Sequence, residues 1–152
     1  MSVIDAMKVR QPEPTVKWTV VILTLLGVLP FVLTAWWIET SWGLSLFKLY
    51  AAAILAFLAG SWWGITLVRG RGDSKPILLV VSNLVVLSAI SLVLIPRPES
   101  LLGLALLFGL LVAGEAWLQP FRQQPGYYRR LRQWVSLIVI ALHGFAFWRL
   151  AG

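Results

Sequence analysis

The chain has 152 residues, of which 59% are hydrophobic and only 12% charged, about half the charged share of an ordinary soluble domain. A domain this short leaves much of its surface in water, so a mean hydropathy of +0.84 makes a soluble enzyme, a disordered chain and a collagen-like chain poor fits. Thirteen Lys and Arg against six Asp and Glu give a formal charge of +7, but they are scattered in short connectors rather than gathered into a face for nucleic acid.

A tail at residues 1–17 carries Lys8, Arg10 and Lys17, and a single domain at 18–152 follows. The domain holds five apolar runs, about 18–37, 44–68, 77–95, 101–118 and 134–150. Each is close to the roughly 20 residues that cross about 30 Å of hydrocarbon as a helix. Lipid offers no partner for backbone amides, and the runs are too long and too uniformly apolar for barrel strands. A soluble bundle would show a polar stripe along each helix, and these do not. The expected fold is all-α, a polytopic membrane bundle of five transmembrane helices.

In the first span, Gly27 and Pro30 predict a kink, because proline removes a backbone donor and clashes with the preceding turn. The run is too long for a signal-peptide core and no Ala-x-Ala follows it, so it reads as a retained anchor. The second span carries Ala52, Ala56, Gly60 and Gly64 at intervals of four, and the fourth carries Ala105, Gly109 and Ala113. Small residues on one helix face allow close backbone approach. The two stripes are expected to pack within one bundle; a seam for a second copy or a membrane-protein partner is the alternative.

Turn chemistry punctuates Ser41–Ser45, Arg69–Ser74 and Pro96–Ser100, and Pro76 and Ser100 sit where a helix would begin. Gly70-Arg71-Gly72 lacks the preceding strand and following Lys-Ser/Thr of a phosphate loop. Arg71-Gly72-Asp73 is read as a coincidence. Asn83, Ser82, Ser88 and Ser91 on the third span are expected to bond across helices.

Glu115 is a carboxylate three residues inside the end of the fourth span. Burial without a partner is costly there, and Arg130 and Arg132 reach the same leaflet before the fifth span. Glu115, Arg130, Arg132 and the adjoining Tyr128 form the candidate polar site, either an ion pair stapling two helices or a proton or ligand site. His143, nine residues beyond Trp134, falls near the midplane. A neutral imidazole bonded to a neighbouring helix is the expected reading. With one histidine and no cysteine, no metal or haem site and no cofactor is expected.

Ten Lys and Arg fall on the side of the N-terminus and three, Lys48, Arg97 and Arg149, on the other. The positive-inside rule then places the N-terminus in the cytoplasm of a bacterium and the C-terminus across the inner membrane, with anionic lipid headgroups as partners. Seven tryptophans, at 18, 36, 37, 42, 117, 134 and 148, mark the two interfaces; Trp62 and Trp63 lie inside the second span. No nucleophile elbow or zinc-protease motif is present. The expected function is a non-enzymatic scaffold or accessory subunit. One alternative is a small transporter or channel with a path near Glu115, Asn83, His143 and Trp62-Trp63. Another is a lipid- or quinone-binding protein using the rim at Arg130 and Arg132.

Three segments carry a resemblance: Leu26-Gly27-Val28-Leu29-Pro30-Phe31, Tyr50 through Gly64 (Tyr-Ala-Ala-Ala-Ile-Leu-Ala-Phe-Leu-Ala-Gly-Ser-Trp-Trp-Gly), and Tyr127-Tyr128-Arg129-Arg130-Leu131-Arg132. Together with an acid at Glu115, they resemble a family of small bacterial and mitochondrial membrane proteins of unknown function that includes transmembrane protein 69. The resemblance implies five spans and no transferable activity. The prolines that the family often has near Ser82 and Trp134 are missing here.

Overall fold

The computed structural model describes residues 13–69, 74–118, 121 and 124–152. Lys8 and Arg10 of the tail, residues 70–73 of the expected turn, and Pro120 and Arg122 lie outside the described residues. The helices are α1 (Pro14–Leu26), α2 (Leu29–Trp36), α3 (Ser41–Arg69), α4 (Ser74–Leu94), α5 (Ser100–Trp117) and α6 (Gly126–Ala151). No strand occurs among the described residues. Taken together, α1 and α2 make one apolar span, and each of the other four helices makes another.

The first span is interrupted by a turn at residues 27–28, between α1 and α2. Pro30 has no N–H for the Leu26 carbonyl, and the Gly27 carbonyl instead accepts a 2.8 Å hydrogen bond from the Tyr50 hydroxyl of α3. The next helix starts earlier than a turn at Ser41–Ser45 would allow. The turn is instead at 37–40, where the Thr40 hydroxyl accepts the Gly43 N–H at 3.0 Å, an N-cap interaction that starts α3. Gly43 is obligatory there, since a Cβ would sit 1.9 Å from the Trp37 carbonyl oxygen. Helix α6 starts at Gly126, eight residues before the apolar run, because its first two turns are polar yet helical.

The bundle is apolar outside as well as inside. Leu23, Trp36, Phe57, Val68, Leu94 and Trp117 are all more than half exposed, an arrangement that fits hydrocarbon rather than water. The seven tryptophans expected at the interfaces are all exposed, whereas Trp62 is buried. The core centres on Phe31, Phe47, Phe108 and His143, contributed by α2, α3, α5 and α6, with Phe31 and Phe47 meeting edge-on at 5.4 Å. Lys48 is buried and donates to the Ile95 carbonyl just beyond the end of α4, where the helix dipole favours a cation.

The helix-packing seam differs from the expected one. The buried face of α3 runs through Ala51, Ala52, Leu55, Ala59 and Trp62. Ala52 belongs to it, Ala56 is half-buried, and Gly60 and Gly64 are exposed. A Cβ on Gly60, Gly64 or Gly109 would meet nothing within 4 Å; Ala105 is half-buried and Ala113 exposed. Spacing by four identifies a face but not its neighbour, and here the neighbour packs on the adjacent face. The close approaches occur instead at Gly103, where a Cβ would come within 2.8 Å of Leu92, and at Gly114, where it would come within 2.4 Å of Trp62. Gly114→Ala should therefore destabilise by about 1–3 kcal/mol through overpacking. Gly60→Ala and Gly64→Ala should be neutral or stabilising by up to about 1 kcal/mol, since alanine is the better helix former. Unfolding midpoints in mixed micelles would check both.

Candidate functional site

Pro125 precedes α6, and the helix it opens places Tyr128 and Arg132 four residues apart on one face. Arg130, two residues away, points elsewhere and is exposed. Thus Arg132 alone of the two expected arginines reaches Glu115, with Nη2 2.5 Å from the carboxylate Oε1. Both side chains are buried. The Trp62 indole N–H of α3 donates to the same Oε1 at 3.0 Å. Arg132 Nη2 also donates to the Ser61 hydroxyl at 3.0 Å, and Nη1 donates to the Tyr128 hydroxyl at 3.2 Å. Three helices therefore converge on one charge-neutral cluster: α3 through Trp62 and Ser61, α5 through Glu115, and α6 through Tyr128 and Arg132. Phe121 covers Trp62 with ring centroids 4.8 Å apart, shielding the cluster from the interface side.

Beside this cluster lies a cavity of about 350 Å³ between α1, α3 and α6. Its wall is mostly aliphatic and aromatic, including Leu23, Ile54, Phe57 and Val135. The polar lining includes Tyr128, Arg132 and Ser136 near the start of α6, and Thr24 on α1. The Thr24 hydroxyl is committed to the Val20 carbonyl of its own helix. The α1 wall has no buried residue, so the groove lies at the lipid-facing side of the bundle.

His143 occupies a different environment. It is fully buried, with Phe47, Phe108 and Phe31 ring centroids at 4.8, 5.5 and 5.7 Å. The expected bond to a neighbouring helix is replaced by one within α6, Nδ1 to the Val139 carbonyl at 2.8 Å. A carbonyl accepts only, so Nδ1 carries the proton and Nε2 is left without a partner among the described residues. Eleven residues of α6 separate Arg132 from His143, about 16 Å along the axis. The groove beside Arg132 is lined by Phe31, Phe108 and Val139 but not by His143 itself.

Asn83 is exposed and donates to the Leu79 carbonyl of its own helix at 2.9 Å. Ser82 and Ser91 likewise donate to Leu79 and Leu87, and Ser88 is exposed. These contacts satisfy the side chains within one helix and do not bond across helices. Trp63 is exposed.

Tyr50 and Ser61 carry no expectation from the sequence, and Trp62 enters there only in the alternative path with Glu115. Trp62 did carry a signal: it lies inside a span, where a buried indole N–H requires an acceptor. The cavity had no signal, since it is a gap between helices distant in sequence.

No curated protein and no solved structure matches the chain. Residues 16–148, most of the chain, match the family described as protein of unknown function (DUF3429), and the chain belongs to that family.

Proposed function

We propose that this multi-pass membrane protein holds a membrane amphiphile in the groove between α1, α3 and α6. The observation that carries the reading is the cavity itself: a mostly apolar wall at the lipid-facing side, with Tyr128, Arg132 and Ser136 among its lining. Ligand sites commonly combine an apolar lining with a few converging polar groups, in volumes from about 300 Å³ upward. The charge count supports an N-terminus in the bacterial cytoplasm, with the basic end of the bundle facing anionic headgroups of the inner membrane. The likeness to the group containing transmembrane protein 69 adds a fold expectation and no chemistry.

Filling the groove tests the reading. The full chain, extracted gently and studied by native mass spectrometry, should retain an amphiphile. Val135→Trp should lower its occupancy about tenfold while the unfolding midpoint stays near that of the parent. Ile54→Trp provides a second filling variant from α3. An unchanged retained complement in folded filling variants would overturn the proposal.

A scaffold or accessory-subunit role is the second reading, favoured by the face of α3 at Gly60 and Gly64, which no described part of the chain covers. Particle mass after gentle extraction decides it: a lone chain without companions would count against that role.

A further inference from the structure

We infer that the groove selects an uncharged head bearing carbonyl oxygens, as in a quinone ring or a monoacylglycerol. The inference rests on the amphiphile-holding reading of the same groove. Its first support is charge. Arg132 is the charged residue of the lining, and Glu115 at 2.5 Å cancels it. An anionic phosphate placed against this end would meet a cation already committed to a carboxylate, with that carboxylate repelling it from just behind. Arg130, which could offset such a charge, is exposed and outside the lining.

The second support is hydrogen-bonding direction. The Tyr128 hydroxyl oxygen accepts from Arg132 Nη1, so its own proton is available to donate. Nη1 carries two N–H groups and uses one of them on Tyr128. Ser136 adds a hydroxyl to the same lining. Spare donors without net charge suit carbonyl acceptors. The third support is size: a cavity of about 350 Å³ lies at the lower end of the range of small-molecule sites, room for one substituted ring or one compact head group.

Binding of three probes to the full chain in nanodiscs tests this: decyl-ubiquinone, monoolein and lysophosphatidylglycerol. One or both uncharged probes should bind at least about tenfold more tightly than the anionic one, and which of them binds distinguishes a ring source from a glyceride source. Tyr128→Phe, which keeps the ring and removes the donor, should weaken the uncharged probe about tenfold with the unfolding midpoint near that of the parent. Equal or tighter binding of lysophosphatidylglycerol, or no effect of Tyr128→Phe, overturns the head-group inference. If Val135→Trp still blocks every probe in that case, the groove reading survives alone. If Val135→Trp leaves all binding unchanged, the groove reading fails as well.

Discussion

Glu115→Leu should destabilise the bundle by about 3–5 kcal/mol, because it leaves the Arg132 guanidinium buried without its carboxylate. Arg132→Met should cost a similar amount for the converse reason. The double variant Glu115→Leu/Arg132→Met should regain most of the loss and lie within about 1 kcal/mol of the parent or above it, since a buried pair replaced by apolar groups of similar size is often neutral or stabilising. Unfolding titrations in mixed micelles across this double-mutant cycle would measure the coupling. A double variant as unstable as the worse single one would show that the cost is lost packing rather than an orphaned charge. Arg130→Met, two residues away and exposed, is the control and should change little.

The second large effect belongs to Trp62. Trp62→Ala should cost about 3–5 kcal/mol, the usual range for deleting a buried aromatic side chain. This ring fills the space over Gly114, stacks on Phe121 and supplies a donor to Glu115. Trp62→Phe separates these contributions: it keeps a ring but removes the N–H, and should cost about 1–3 kcal/mol. Truncating Trp63, which is exposed in the next position, should have little effect on the same unfolding assay. Equal losses at the two neighbours would contradict the assignment of Trp62 to the Glu115 cluster.

How far these features were legible depends on whether they follow from one helix or from several. The five spans are legible because hydrocarbon thickness sets their length. The signal at Gly27 and Pro30 is a property of one helix, and α1 and α2 are separate elements on either side of Gly27 and Val28. The contact of Glu115 with the α6 arginines is legible in part, because span ends assign both to one leaflet. Choosing Arg132 over Arg130 needs the phase of α6, and the helix begins at Gly126 in residues too polar to register as a span. The stripe at Ala56, Gly60 and Gly64 shows the opposite failure. It is a true helix face, but a face acquires a neighbour only through the arrangement of other helices, and α3 turns an adjacent face inward. Asn83, Ser82 and Ser91 differ for a local reason: each finds its acceptor in an i−4 or i−3 carbonyl of its own helix.

Arginines near both ends of α6 are anchored to the rest of the bundle. Arg132 holds Glu115 near one end. Near the other, Arg149 pairs with Glu39 and donates to the Trp36 carbonyl at 3.1 Å. The two lie seventeen residues apart, about 25 Å along the axis, comparable to the hydrocarbon thickness. Sliding α6 by a single turn, about 5.4 Å, would unseat both guanidiniums at once, so its height in the bilayer is indexed. A thicker or thinner bilayer must then be met by tilt elsewhere, and α1, broken from α2 at Gly27 and burying no residue, is the segment least tied to a fixed depth.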